Sequence, residues 1–129
     1  MPKLWRTSLF LLPVALTVSC GSSNGRELQS ISISQTAIGS KFQFTAMGTF
    51  SEAPMSVSPL PVDWSNGLLA PPPPHYSYAL TTQPYVVDCS GTNPGATLQV
   101  SALAPQDPNA PSSGTTKSVV VQSHTFTCP

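Results

Sequence analysis

The sequence feature that most constrains the fold is residues 41–50, KFQFTAMGTF. In this stretch phenylalanine, alanine or glycine occupies every even position, and lysine, glutamine, threonine or methionine occupies every odd one. A period of two predicts a β-strand with one buried face. Its three phenylalanines need an apolar layer opposite, and Val62 and Trp64, which share one parity in PVDWS, are the best candidates for it. Two sheets that close on this aromatic centre form a β-sandwich.

Other short alternating segments predict the rest of an all-β fold of about seven antiparallel strands. Strands are predicted over residues 27–34, 41–50, 62–65, 76–78, 85–89, 96–102 and 117–128. A change of apolar parity predicts a bulge near Ser30 and another near Ser123. In ATLQVSA, Leu98, Val100 and Ala102 are predicted to face inward, and Thr97, Gln99 and Ser101 outward. The 15 prolines and 8 glycines separate strands, and no window keeps a helical apolar period.

The first twenty residues have the layout of a secretory signal. Lys3 and Arg6 precede an apolar run over residues 9–16, and small residues follow it before Cys20. A membrane-spanning helix needs about 20 apolar residues, so this run is too short to be one. We therefore predict a signal peptide over residues 1–19, a flexible tether over 20–26 and one sandwich domain over 27–129.

Ser19-Cys20-Gly21 resembles the lipobox of bacterial lipoproteins, although Thr17 stands where that pattern prefers Leu, Val or Ile. The resemblance implies that a diacylglycerol is attached to the Cys20 sulfur and anchors the protein to a membrane. It also implies an exported protein of the cell envelope, at the outer membrane or cell surface. The alternative is an ordinary signal peptide that leaves Cys20 as a free thiol.

The chain has three cysteines, so one of them stays unpaired if the other two form a disulfide. A lipid on Cys20 removes the odd one and leaves Cys89 and Cys128. In an oxidising compartment these two can close a loop of about 40 residues, worth roughly 4 kcal/mol in the chain-entropy model. A metal site is the rival interpretation, but the spacing of 39 and the positions of His75 and His124 do not match zinc ligands.

The charge of the chain excludes some classes of partner. After loss of residues 1–19, three basic residues remain against five acidic ones, which gives a net charge of −2. The basic residues are not clustered, so nucleic acid is not an expected partner.

Several segments together resemble the bacterial immunoglobulin-like domain of the group 2 type, in the form found in exported acidobacterial proteins. They are LQSISIS, FQFTAMGTF, PVDWS and GATLQVSALAP, and the final Cys128-Pro129 also matches that form. The resemblance covers residues 28–121 and implies an immunoglobulin-like β-sandwich. Family positions of this kind are core and turn residues, so the resemblance implies no catalytic machinery. Glu52-Ala53-Pro54 replaces the usual Asp-Gly turn, and the proline run over residues 71–74 is atypical.

Catalytic or ion-binding motifs are weak in this sequence. Nothing brings His75 or His124 to a serine and an aspartate, and there is no nucleophile elbow or phosphate-binding loop. Asp107-Pro108-Asn109 offers too few oxygen ligands for calcium and is typical of a turn. We expect neither enzymatic activity nor a cofactor.

The most distinctive surface candidate is a ridge over residues 71–78, PPPPHYSY, which comprises Pro71, Pro72, Pro73, Pro74, Tyr76 and Tyr78. Polyproline is pre-ordered, and tyrosine faces can contact sugar or peptide. The alternative is a rigid loop whose tyrosines pack against the sandwich.

These patterns favour a non-enzymatic, membrane-anchored module that presents a surface to an envelope protein or glycan. The alternative is an architectural spacer or accessory subunit of an envelope assembly, without a ligand of its own.

Overall fold

The computed structural model describes residues 25–67, 75–111, 113–115 and 118–129, apart from the side chains of residues 75, 76 and 115. Within these ranges every regular element is a β-strand. The strands are β1 (Leu28–Ile38), β2 (Lys41–Phe50), β3 (Ser56–Val57), β4 (Asp63–Asn66), β5 (His75–Ser77), β6 (Tyr85–Asp88), β7 (Thr97–Pro105), β8 (Ser113–Thr115) and β9 (Val119–Thr127). The described chain has nine strands rather than about seven, because the short β3 and β8 form where only approach and loop residues were expected.

All strand pairs are antiparallel, and they form two main sheets. In the first sheet β2 pairs with β1 on one side and with β3 and β6 on the other, and in the second β7 lies between β4 and β9. Strands β5 and β8 form a separate two-stranded sheet. The orders β1-β2-β6 and β4-β7-β9 correspond to A-B-E and C-F-G of an immunoglobulin-type sandwich. The predicted all-β sandwich is confirmed.

The first sheet is built on a tight hairpin between β1 and β2. Ile38 pairs with Lys41, so only Gly39 and Ser40 form the turn. Gly39 has φ of 61°, which a type II′ turn requires at its first central position and which glycine adopts without steric cost. The register shifts between Leu28 and Ser30, which confirms the bulge predicted near Ser30.

The alternating face of β2 forms the centre of the core, as predicted. Phe44, Ala46 and Phe50 are almost fully buried, whereas Met47 on the opposite face is 41% exposed. Two adjoining clusters fill the space between the sheets. The first contains Leu28, Ile31, Ala46, Phe50, Leu60, Val62, Ala102 and Ala104, and the second contains Phe44, Cys89, Val100, Phe126 and Cys128.

Val62 and Trp64 belong to the layer opposite the phenylalanines, as their shared parity predicts. Val62 is 1% exposed, and the half-buried Trp64 packs against both clusters. The Trp64 ring also stacks on Tyr85 of the other sheet at a centroid distance of 5.8 Å. The Tyr85 hydroxyl donates a 2.8 Å hydrogen bond to Asn66 Oδ1, which joins the two sheets at this side.

The bulge predicted near Ser123 is wrong. Strand β9 pairs with β7 in continuous register from Thr127 to Val119. Val121 is 39% exposed, and Val120 packs against the core instead, so the inward residues keep one parity from Val120 to Phe126. Because Val119, Val120 and Val121 are all apolar, the sequence pattern alone does not show which of them faces inward.

The prediction that Ser101 lies on the exposed face of β7 is also wrong, because this serine is fully buried. Its hydroxyl donates to the Gly67 carbonyl at 2.8 Å and lies 2.7 Å from Ser123 Oγ. Val100 and Ala102 do face the core as predicted, so both faces of β7 are covered at this point. Gln99 is likewise half-buried rather than exposed.

Candidate binding surfaces

The structure describes only part of the predicted ridge. Pro71, Pro72, Pro73 and Pro74 and the side chain of Tyr76 lie outside the described residues. Tyr78 is only 7% exposed, and its hydroxyl donates a 2.6 Å hydrogen bond to the Pro111 carbonyl. Tyr78 therefore cannot offer an exposed aromatic face, and the interpretation that placed it on a contact ridge is wrong for this residue. Its side chain packs into the domain, as the alternative held.

The described chain contains a disulfide between Cys89 and Cys128, while the predicted lipidation residue, Cys20, lies outside the described residues. The two Cα atoms are 5.7 Å apart, and both residues are buried. Cys89 follows β6 and Cys128 follows β9, so the bond links the first sheet to the second. Backbone hydrogen bonds from Cys89 to Ser40 and from Cys128 to Ala96 fix the same end of the sandwich. We call this the hairpin-side end, because it contains the Gly39-Ser40 turn.

The outer face of the first sheet carries few charges. The outward positions form cross-strand rows of β1, β2 and β6 that are mostly hydroxyl, amide or apolar. They are Ser30, Ser32, Ser34, Thr36, Ile38, Lys41, Gln43, Thr45, Met47, Thr49, Val86 and Asp88. Three of the exposed large apolar residues, Ile38, Met47 and Val86, lie on this face. The face is therefore mostly uncharged.

Among the described residues, the one ionised pair on that face is Lys41 with Asp88, whose Nζ and Oδ2 atoms are 3.8 Å apart. Both side chains are about half exposed, so the pair adds little to stability. The Asp88 carboxylate accepts a 2.9 Å hydrogen bond from the Ser90 backbone, and this bond lowers the pKa of Asp88, with smaller help from Lys41. At the hairpin-side end the face therefore carries one Lys–Asp pair whose opposite charges cancel.

A cleft of about 240 Å³ lies at the opposite end of the sandwich. We call this the tether-side end, because the described chain begins there at Gly25. The cleft walls are apolar apart from one arginine, and they are Arg26, Leu28, Phe50, Val57, Leu60, Pro61, Leu80, Ala104, Pro105 and Pro108. Its residues come from several separate segments, so no local sequence pattern predicts it.

Arg26 is held firmly at the rim of this cleft. Its guanidinium carbon lies 3.7 Å from the centroid of the Phe50 ring, a cation–π contact. Its Nε donates to the carbonyls of Glu52 and Pro54, and a second guanidinium nitrogen also donates to Pro54. The Arg26 side chain at the rim is therefore held against the turn between β2 and β3.

Two further ionisable side chains among the described residues have defined surroundings. The His124 ring faces the gap between the sheets, with Nε2 2.9 Å from Gln35 Oε1 and its centroid 5.8 Å from that of Phe44. Burial raises the pKa of Asp63, opposed by a hydrogen bond from the backbone of Ala79. Among the described residues, no three histidine, cysteine or acidic side chains lie close enough together to hold a metal ion.

Comparison with protein-family models, with curated proteins and with solved structures gave no match. Fold and site together define the class as a disulfide-linked antiparallel β-sandwich. Within the described ranges there is no helical segment of the length and apolarity that a membrane crossing requires.

Proposed function

We propose that this chain is an exported, lipid-anchored and non-enzymatic module of the cell envelope, which presents its sandwich surface to an envelope protein or glycan. The observation that carries the proposal is the division of the three cysteines. Cys89 and Cys128 are joined in the folded domain. A stable disulfide is typical of an oxidising compartment outside the cytosol. This leaves Cys20 as the single thiol, located where a lipoprotein signal requires one.

The surface that best supports binding is the outer face of the first sheet. It is exposed, nearly free of charge and bordered by Ile38 and Val86, each more than half exposed. Hydroxyl rows on β1 and β2 supply hydrogen-bond donors and acceptors at the regular spacing of a sheet. A neutral glycan or an uncharged protein surface fits this chemistry.

The burial of Tyr78 favours the second candidate, an architectural spacer or accessory subunit without a ligand of its own. One of the two tyrosines expected on the ridge contributes to the fold instead. The proline run would then be a rigid connection rather than a contact surface.

Metabolic labelling with an alkyne fatty acid tests the anchor. The wild-type chain should acquire the label, and Cys20→Ser should not, because the thiol is the only atom that can be alkylated by the diacylglycerol. The double variant Cys89→Ser/Cys128→Ser is the matched control and should be labelled as strongly as wild type. Equal labelling of Cys20→Ser and wild type would refute the proposed function.

A further inference from the structure

The position at which the chain leaves the domain restricts how a lipid-anchored sandwich can face its membrane. Cys20 precedes Arg26 by six residues, and from the composition of the five residues between them, Gly21-Ser22-Ser23-Asn24-Gly25, the sequence predicts a tether with a root-mean-square reach of about 12 Å. Arg26 lines the cleft at the tether-side end. If Cys20 carries the lipid, as the proposed function holds, this end of the sandwich lies beside the bilayer.

The same end carries apolar side chains that the fold does not cover. Met55 is 57% exposed, and its carbonyl accepts from Phe50 at the end of β2. Leu80, on the cleft wall, is 36% exposed, and Pro61 and Pro108 continue the apolar rim. Transfer of such groups from water to an apolar environment is favourable.

The charges at the tether-side end select among lipid headgroups. Among the described residues Arg26 is the one basic residue there, and Glu27, Glu52 and Asp107 are exposed acidic residues in the adjoining segments. Glu27 Oε2 accepts from Gln106 Nε2 at 3.1 Å, which holds it beside the β7 end of the cleft. Phosphatidylethanolamine offers an ammonium group to the carboxylates and a phosphate to the guanidinium. An anionic headgroup such as phosphatidylglycerol offers only negative charge and meets repulsion from the carboxylates.

We propose that the tether-side end seats on the surface of an ethanolamine-rich bilayer, with Met55, Leu80 and the cleft rim at the lipid interface. The domain then stands upright on its anchor. Since β2 spans ten residues at about 3.3 Å each, the hairpin-side end lies roughly 30 Å farther from the lipid. The outer face of the first sheet is left free along its length.

Depth-dependent fluorescence quenching of the lipidated protein in nanodiscs tests this orientation. A fluorophore is attached through Met55→Cys or, as the matched control, through Ile38→Cys, because both side chains are 57% exposed but lie at opposite ends of the first sheet. A quencher carried on the lipid acyl chain should quench the fluorophore at position 55 several-fold more than at position 38. Leu80→Asp should reduce quenching at position 55, because it places a charge on the seated rim.

The headgroup arm compares discs rich in phosphatidylethanolamine with discs of phosphatidylcholine and with discs rich in phosphatidylglycerol. Quenching at position 55 should be highest in the ethanolamine discs, because a choline ammonium has no N–H to donate to the carboxylates and an anionic headgroup repels them. Quenching in either of the other discs equal to that in the ethanolamine discs would overturn the ethanolamine assignment. Equal quenching at positions 55 and 38 would overturn the upright orientation.

Intact mass of the same samples separates this inference from the proposed function. A mass without lipid at Cys20 refutes the anchor. In that case the seat is overturned as well, unless position 55 is still selectively quenched on added ethanolamine vesicles. If the protein is lipidated but quenching is not selective for position 55, the contact of the tether-side end with the bilayer is refuted and the anchor is not.

Discussion

The absence of a side chain at Gly48 makes room in the core for two leucines. A Cβ atom at this position would lie 2.8 Å from Leu60 Cδ1 and 2.9 Å from Leu28 Cδ1. Both leucines are almost fully buried, so neither can move aside freely. Glycine at this point in β2 therefore allows the β1 and β3–β4 segments to meet over the strand.

Gly48→Ala should lower the free energy of unfolding by about 1–3 kcal/mol, the usual cost of overpacking a filled core. Gly91→Ala is the matched control, because nothing lies within 4 Å of the added Cβ and the position lies in an open loop. Its effect should stay within about 0.5 kcal/mol. Urea unfolding of both variants measures the difference, and equal midpoints would contradict the close packing at Gly48.

Sequence periodicity predicted most core residues but not the buried polar residue of the second sheet, Ser101. Phe44, Val62 and Val100 follow from parity alone, because apolar side chains on one face of a strand must be covered. Ser101 has the polar identity of a surface residue. It is buried because Ser123 on the neighbouring strand and the Gly67 carbonyl satisfy its hydroxyl, and neither partner can be inferred from local pattern.

At the scale of elements, the strands with strict alternation were predicted well and the ambiguous ones were not. The β1 bulge was predictable because Leu28 and Ile31 have opposite parities and both must be inward. In β9 the residues Val119, Val120 and Val121 allow either parity, and only pairing with β7 decides between them. The short strands β3 and β8 have almost no periodicity, so their existence depends on the partners they meet.

The segment after β5 is held to the loop before β8 by Tyr78. Tyr78→Phe should cost about 0.5–1.5 kcal/mol, because it removes the hydrogen bond to the Pro111 carbonyl while it keeps the buried ring. Tyr78→Ser should cost more, about 3–5 kcal/mol, since most of the buried ring is lost as well. Thermal unfolding of the two variants provides the measurement. A melting temperature of Tyr78→Ser equal to that of wild type would show that the ring does not contribute to the fold.

At the scale of the whole molecule, the two sheets are joined by an aromatic core, by the Trp64–Tyr85 stack and by one covalent bond. The disulfide differs in place from the one that links strands B and F in antibody domains, because it joins the ends of β6 and β9. The sequence predicted this pairing by count alone, since only two cysteines remained. The cleft at the tether-side end could not be predicted, because it is assembled from segments that are distant in the chain.

Removal of the disulfide should destabilise the whole sandwich. Cys89→Ser/Cys128→Ser should lower the free energy of unfolding by about 4 kcal/mol in the chain-entropy model for this loop, within a usual range of about 2–5 kcal/mol. Cys20→Ser should leave the unfolding midpoint of the domain unchanged. Two alkylated cysteines in unreduced protein from the periplasm would contradict the bond, as would an unchanged midpoint for the double variant.

The place of β9 in chain order has a consequence for the time at which this protein can fold. Strand β9 is the last of the strands, it is needed to complete the second sheet, and β1 at the other end of the domain lies beside it. Cys128 follows it and closes the covalent link. If the chain is exported as proposed, it therefore cannot complete the second sheet or form the Cys89–Cys128 disulfide until residue 128 has emerged from the translocation channel. Most contacts in this fold join residues far apart in sequence. A partly emerged chain therefore has few partners with which to fold, and it stays extended enough to pass through a channel.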